Sequence, residues 1–393
     1  MDYALTEAAL LSEARQATGL ERFGDDGFLP ALRILLDCLN LEASLNEGGR
    51  LRAKGAILMS LRNRLWANAC FEQHPEILQR KIVAPLVIVG PARSGTTRLQ
   101  RMLSADPRLQ HLTAWEGFNP APRPAQAAHG REQRYAEVKA FLDQRRRVNP
   151  EAYTAHPMDA DWAEEETILL NQSFCGFYAL ANFDMPSYRD WYLASDKADS
   201  YRYMAQLLKL IAWTRGVAEG QPWVLKAPPH MLALDTLLAV FPDARIVFTH
   251  RDPVKTTSST FSLMWSFFRH NTDNPTRETM RDIWLPICEK MARDSIQART
   301  TIPACQQMDV QYDDMNSDWR AVMRRVYAFA GLPFDAATDA RLSAWMEQST
   351  SENHHGGHRY SLEEFGTSAM EVEARMGFYR DQYAIPREGR RRC

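Results

Sequence analysis

The chain contains few cysteines, and no two of them have the spacing of a redox or metal motif. Its 393 residues include six cysteines and no CxxC motif. They are scattered along the chain at Cys38, Cys70, Cys175, Cys288, Cys305 and Cys393. Such scatter indicates reduced thiols rather than a disulfide framework or a zinc site. The sequence therefore predicts a cytoplasmic protein.

Long apolar runs and an excess of charge of either sign are also lacking. No stretch of 18 apolar residues occurs, so we predict no membrane span. The first residues include Asp2, Glu7 and Glu13 and lack the apolar core of a signal peptide. A net charge of −2 is not that of a general nucleic-acid binder, so we expect no nucleic-acid partner. With 45% hydrophobic residues, the composition is that of an ordinary globular protein.

In residues 1–80 the only recognisable pattern is apolar residues that recur at helical spacing. One apolar stripe of this kind contains Leu32, Leu35 and Leu39, and Pro30 stands at the start of the predicted helix. This segment contains no catalytic constellation. We therefore predict a helical N-terminal extension over residues 1–80 and an α/β domain over residues 81–393. The extension is expected to pack on that domain or on another subunit, which is compatible with a homo-oligomer.

Residues 85–101 read as a buried strand, a tight loop and the start of a helix. The apolar run at residues 86–89 is ended by Gly90 and Pro91. The loop that follows contains Arg93, Ser94, Gly95, Thr96 and Thr97. Free backbone N–H groups and the helix dipole make such a strand–loop–helix turn a site for an anion. Ser94, Thr96 and Thr97 add hydroxyls, and Arg93 adds a positively charged fork.

This loop is not a Walker A motif. That motif places Lys directly after its second Gly, whereas Thr96 stands at this position here. The loop therefore lacks the usual Lys for a triphosphate, which disfavours a P-loop kinase or NTPase without removing it as an alternative. A plain strand–turn–helix link is the other alternative. An anion loop that is not built for ATP indicates a different phosphorylated donor.

Two further strand-like runs end in basic residues. Residues 223–226 end at Lys226, and residues 245–250 are followed by Arg251. A helical segment lies between them, so the pattern is a β-α-β unit of a parallel sheet with ligand-binding residues at the carboxyl strand ends. Asp252 and Pro253 are a cap and a first-turn proline. Ser259 should lie about 10 Å along that helix, where it could hold a phosphate together with Arg251.

These residues resemble the sulfotransferases that use 3′-phosphoadenosine 5′-phosphosulfate (PAPS). The loop at residues 91–97 resembles their 5′-phosphosulfate loop, Arg251 and Ser259 resemble their 3′-phosphate motif, and Lys226 resembles their strand-end Lys. The resemblance covers about residues 82–265. The HHGGHRY segment, which contains Arg359, is similar to the bacterial branch, and we expect Arg359 to contact the donor.

The resemblance implies a P-loop-type parallel sheet flanked by helices, with a helical insertion on the acceptor side at about residues 120–220. It implies in-line transfer of a sulfuryl group from PAPS to a hydroxyl or amine of a small-molecule or lipid-like acceptor, with no metal. Arg93 and Lys226 would stabilise the charge of the transition state. A non-catalytic protein that binds adenosine 3′,5′-bisphosphate is the alternative of a different class.

At the position of the catalytic base, this sequence differs from one branch of the family that it resembles. Members that sulfate phenols and steroids have a catalytic His two residues after the Lys, a position occupied here by Pro228. Tyrosylprotein sulfotransferases instead use a Glu shortly after the loop helix, and Glu116 lies at a similar place. We therefore favour Glu116 as the base. His111, His156 and His230 remain alternatives, as does a Glu116 that only pairs with an Arg near the loop.

Overall fold

The structure is a computed structural model that describes residues 5–123, 130–352 and 361–388. Its described residues form nineteen α-helices. These are α1 (Glu7–Thr18), α2 (Leu29–Leu41), α3 (Glu47–Gln73), α4 (Glu76–Gln79), α5 (Thr96–Ser104), α6 (Ala114–Phe118), α7 (Gly130–Val148), α8 (Pro150–Ala155), α9 (Thr167–Leu170), α10 (Tyr178–Asn182), α11 (Pro186–Ala194), α12 (Ala198–Thr214), α13 (Leu234–Val240), α14 (Pro253–Phe268), α15 (Arg277–Arg299), α16 (Tyr312–Ser317), α17 (Trp319–Ala330), α18 (Ala336–Glu352) and α19 (Ala369–Gln382). None of the helices in these ranges combines the length and the apolar character that a membrane crossing requires.

The strands form one five-stranded parallel sheet. They are β1 (Leu86–Val89), β2 (Gln110–His111), β3 (Trp223–Lys226), β4 (Arg245–His250) and β5 (Gln307–Gln311). Their order is β2-β3-β1-β4-β5, and every neighbouring pair is parallel. The predicted α/β fold with a parallel sheet flanked by helices is therefore confirmed. Because β3 and β4 lie on either side of β1, their carboxyl ends flank the loop that follows β1.

The chain groups into two compact units. A helical unit comprises Met1–Ile82, Leu112–Gly220 and Leu263–Thr279, and a sheet unit comprises Val83–His111, Gln221–Ser262 and Met280–Cys393. The expected helical N-terminal region is confirmed for its described residues, which form α1 to α4. The division of the chain at residues 80 and 81 stays a prediction.

The core of the sheet unit lies between β1 and the helices that cover the sheet. Leu86 and Ile88 of β1 are buried in one cluster with Leu99 and Met102 of α5. The helix α17 adds a buried stripe at helical spacing, which includes Val322 and Val326 and also Met323 and Tyr327. This packing fixes α5 against the sheet, so the loop before α5 has a defined position.

The helical unit has a core of its own. Asn46 begins the long helix α3 by accepting a hydrogen bond from the Gly49 N–H at 2.7 Å. Most aromatic side chains between residues 174 and 192 are buried in this unit, among them Phe174, Phe177, Phe183, Tyr188 and Tyr192. These five aromatic side chains therefore belong to its core.

Candidate active site

The loop between β1 and α5 adopts an unusual backbone conformation. Gly95 has φ +91°, and a Cβ there would lie 3.1 Å from Cδ2 of Tyr312. Only glycine adopts this conformation without strain. Arg93 also has a positive φ, of 71°, although it carries a side chain. Strained non-glycine residues of this kind are concentrated at ligand-binding sites. The backbone conformation thus agrees with a binding role for the loop.

Ser94 holds the loop together from inside. Its hydroxyl donates to the Pro91 carbonyl at 2.7 Å and lies 2.6 Å from the Thr249 hydroxyl of β4. The Ser94 side chain is buried. Gly90 permits this close approach, because a Cβ there would lie 2.2 Å from Oγ1 of Thr249. The Ser94 hydroxyl therefore fixes the loop to the end of β4.

The start of α5 presents backbone donors that no N-cap side chain satisfies. Its N-cap residue is Gly95, which has no side chain to accept a hydrogen bond. Thr96 is buried and Thr97 is half-buried at this end of the helix. Exposed N–H groups and the positive end of the helix dipole attract an anion. The site predicted around Gly95 therefore has the donors that an anion needs.

One predicted cation, Arg93, belongs to the loop, and another, Lys226, lies beside it. Arg93 is half-buried, and its Nε donates to the Ser259 hydroxyl of α14 at 2.9 Å. Lys226 is the last residue of β3 and is almost completely buried. Its Nζ donates to the Thr97 hydroxyl at 3.3 Å. Lys226 thus lies on one side of the loop. On the other side, the hydroxyl of Ser259 accepts a hydrogen bond from Arg93.

Arg251 follows β4 directly and is held by three groups. Its Nη1 donates to the Arg93 carbonyl at 2.9 Å, and its guanidinium lies 4.0 Å from the ring centroid of Tyr312. Its other edge is paired with Glu388. Burial disfavours the cation, but the hydrogen bonds and the charge of Glu388 raise the pKa of Arg251 above its usual value. Arg251 and Ser259 both contact Arg93, so the two residues predicted to hold a second phosphate lie beside the loop.

Asp252 caps the helix that carries Ser259. Its Oδ1 accepts from the Val254 N–H at 2.9 Å, and Pro253 occupies the first helical turn. The predicted cap is confirmed. Asp252 is buried and also accepts from Nη2 of Arg380 at 2.8 Å. Because its oxygens are used in this way, Asp252 has a structural role next to Arg251.

Glu116 lies in the helical unit, in the short helix α6. The Thr113 hydroxyl donates to Oε2 of Glu116 at 2.6 Å, and the two residues form a capping box. Arg215, which follows α12, donates to both carboxylate oxygens, with Nε 2.7 Å from Oε1. Glu116 is buried. This carboxylate therefore has structural contacts, and its role as a base stays a prediction.

The three alternative bases have different surroundings. His156 is half-buried, and its Nε2 lies 3.3 Å from Oε1 of the buried Glu164 within the helical unit. His230 is fully buried in a 3₁₀ helix of the sheet unit, Pro228–Leu232. His111 ends the two-residue strand β2. A histidine oriented by a carboxylate is a common general base, so the contact with Glu164 keeps His156 as an alternative beside His111 and His230.

Three residues that contact the predicted site residues were not themselves predicted as site residues. Tyr312 directly follows β5, so the rule that sites lie at carboxyl strand ends could have found it. Glu388 and Arg215 are more than 95 positions from Arg251 and Glu116 along the chain, and no sequence pattern links them. Arg359 lies outside the described residues, so its predicted contact with the donor stays a prediction.

A family model identifies the class of protein. The model of the sulfotransferase family matches residues 85–336, which is more than half of the chain. The chain therefore belongs to the sulfotransferase family. This match includes the loop after β1, Lys226 and Arg251.

Relatives and solved structures agree with this membership. The omega-hydroxy-beta-dihydromenaquinone-9 sulfotransferases Stf3 of Mycobacterium bovis and Mycobacterium tuberculosis are each 25% identical over 254 residues, 63% of this chain and 63% of the relative. The match thus spans less than two thirds of these relatives. The crystal structure of sulfotransferase STF1 from M. tuberculosis has a TM-score of 0.84 and 28% identity, covering 96% of this chain and 100% of that chain. Sulfotransferase STF9 from Mycobacterium avium has a TM-score of 0.85 and 27% identity, covering 99% and 100%.

Proposed function

We propose that this protein transfers the sulfuryl group of PAPS to a hydroxyl or amine of a small-molecule or lipid-like acceptor. One observation carries the proposal. The order β3-β1-β4 places Lys226 and Arg251 at the carboxyl ends of the two strands beside the loop. This arrangement supports a ligand with two separate anionic groups, because the cations lie on opposite sides of one anion loop.

The residues of the sheet unit fit the two ends of PAPS. The N–H groups at the start of α5, together with Thr97, Arg93 and Lys226, would hold the 5′-phosphosulfate. Arg251 would hold the 3′-phosphate, since a guanidinium fork binds phosphate oxygens in pairs. Ser259 would act by holding the Arg93 side chain, to which it is bonded.

The reaction forms a bond from the acceptor oxygen, or nitrogen, to sulfur and breaks the bond from sulfur to the 5′-phosphate oxygen. That oxygen keeps the bonding electrons and leaves as adenosine 3′,5′-bisphosphate. Lys226 and Arg93 would stabilise the negative charge that grows on the leaving phosphate and on the sulfuryl oxygens. The acceptor loses a proton to a base, for which we propose Glu116.

The acceptor class is proposed from the relatives. Stf3, by its name, acts on a hydroxylated dihydromenaquinone, which is a lipid-like molecule. We propose an acceptor of the same general kind, with an apolar body and a hydroxyl group. Transfer of ³⁵S from labelled PAPS to a panel of apolar and polar alcohols tests this class. Labelling of polar alcohols alone would contradict a lipid-like acceptor.

We expect adenosine 3′,5′-bisphosphate to raise the melting temperature more than ATP with Mg²⁺ does. The two cationic positions match a nucleotide with a second phosphate on the ribose, which ATP lacks. At a hundredfold excess over its Kd, a ligand adds about 2.7 kcal/mol to the free energy of unfolding. Thermal unfolding at matched ligand concentrations measures the difference.

The same experiment separates the alternatives. A larger shift with ATP and Mg²⁺ would contradict PAPS as donor and favour a kinase or NTPase. A shift with the bisphosphate but no ³⁵S transfer to any acceptor in the panel would favour a non-catalytic binding protein. Adenosine 5′-phosphate, which lacks the 3′-phosphate, is the matched control ligand, and we expect it to give a smaller shift.

A further inference from the structure

The guanidinium of Arg251 is engaged by a carboxylate from near the end of the described chain. Nε of Arg251 donates to Oε1 of Glu388 at 2.7 Å, and Nη2 donates to Oε2 at 2.9 Å. This is the parallel two-bond geometry in which arginine binds carboxylates and phosphates alike. Glu388 thus occupies an edge of Arg251 whose geometry also suits a phosphate.

Hydrogen bonds of the backbone and of neighbouring side chains hold Glu388 in this position. Its own N–H donates to Oδ2 of Asp252 at 2.7 Å. The other carboxylate oxygen of Asp252 accepts from Arg380 of α19. Arg380 and Arg387 both donate to Glu373, also in α19. The segment that carries Glu388 is therefore fixed beside Arg251 by contacts that do not involve the Glu388 carboxylate.

The edge of Arg251 formed by Nε and Nη2 cannot serve Glu388 and a ligand phosphate at the same time. The third nitrogen of Arg251, Nη1, donates one of its two N–H groups to the Arg93 carbonyl. A phosphate that takes both Nε and Nη2 must therefore displace the carboxylate. The pair is partly open to water, with 22% and 23% of the two side chains exposed. The displaced carboxylate can thus turn into solvent while its backbone N–H stays on Asp252.

We propose that Glu388 is a built-in competitor for the nucleotide phosphate at Arg251, which lowers the affinity for the donor and speeds the release of the product. This inference rests on the proposed function, because it takes Arg251 as the 3′-phosphate site. A phosphate dianion outcompetes a single carboxylate on a guanidinium, since it brings more charge and more acceptor oxygens. The carboxylate returns to Arg251 when the product leaves.

A positioning role for Glu388 gives the opposite result. If the carboxylate only holds Arg251 in the orientation that binds phosphate, its removal weakens nucleotide binding. If it competes, its removal strengthens binding. The sign of the change therefore separates the two roles.

The test is Glu388→Gln in the full-length protein, with adenosine 3′,5′-bisphosphate as the probe. We expect the variant to bind the bisphosphate about five- to thirtyfold more tightly, with most of the change in the dissociation rate. Binding of adenosine 5′-phosphate should stay unchanged, because that nucleotide does not need Arg251. Glu347→Gln, which removes a carboxylate of α18 in the same unit, is the matched control and should leave both affinities unchanged.

Calorimetry gives the affinities, and stopped-flow displacement gives the dissociation rate. Equal or weaker binding of the bisphosphate by Glu388→Gln, with a wild-type melting profile, overturns the competitor role and leaves the donor assignment intact. If neither wild type nor variant binds the bisphosphate, the proposed function falls as well. Glu388→Asp keeps the charge and should bind the bisphosphate less tightly than Glu388→Gln does.

Discussion

Replacing Arg251 by Ala is expected to weaken the binding of adenosine 3′,5′-bisphosphate by roughly tenfold to a hundredfold. A charge-assisted pair between a guanidinium and an anion contributes about 1.5–3 kcal/mol, and each 1.4 kcal/mol changes affinity about tenfold. Glu388 lies directly beside the position of the lost cation. Its unpaired carboxylate would also repel the 3′-phosphate. Calorimetric titration of the wild type and the variant measures the loss.

A second nucleotide and a second variant make this result specific. Adenosine 5′-phosphate should lose little affinity, because it has no group for Arg251. If the Arg251→Ala variant loses affinity for both nucleotides equally, Arg251 is structural, which its bond to the Arg93 carbonyl would explain. The double variant Arg251→Ala with Glu388→Gln should recover the part of the loss that comes from repulsion. The remainder is the direct contact of Arg251 with the phosphate.

The fold was predictable where strands are short, apolar and buried on both faces. The run at residues 86–89 and the runs that end at Lys226 and His250 were expected as parallel strands, and they are β1, β3 and β4. The strand β2 has two residues and leaves almost no periodic signal. In the strand β5 only Val310 is buried, so this strand also lacks an apolar run. Edge strands that are only partly buried lack the apolar pattern that marks central ones.

The candidate site was predictable where one rule of parallel sheets applies. That rule places ligand-binding residues at carboxyl strand ends, and it found the loop, Lys226 and Arg251. Helix geometry placed Ser259 away from the start of α14, and its hydroxyl contacts Arg93. The partners Glu388 and Arg215 come from residues that are distant in sequence. Such tertiary ion pairs follow from packing, which periodicity does not encode.

Glu116→Gln is expected to lower kcat by about 10²–10⁴-fold while leaving donor affinity nearly unchanged. Gln keeps the size of the side chain and an oxygen that can accept from Thr113, but it is a far weaker base than a carboxylate. Loss of a general base typically has an effect of that size. Single-turnover transfer of ³⁵S from PAPS measures the chemical step, and calorimetry with adenosine 3′,5′-bisphosphate measures donor affinity.

The ion pair with Arg215 provides the decisive control. Arg215→Gln breaks the same pair but keeps the Glu116 carboxylate. If Glu116 is the base, Arg215→Gln should keep most of the turnover, whereas Glu116→Gln should not. If Glu116 only holds Arg215, the two variants should lose melting temperature and activity to the same degree. In that case His156, whose Nε2 lies within hydrogen-bond distance of the buried Glu164 carboxylate, is a base to test. Loss of turnover in His111→Asn or His156→Asn, with near-normal turnover of Glu116→Gln, would move the assignment to that histidine.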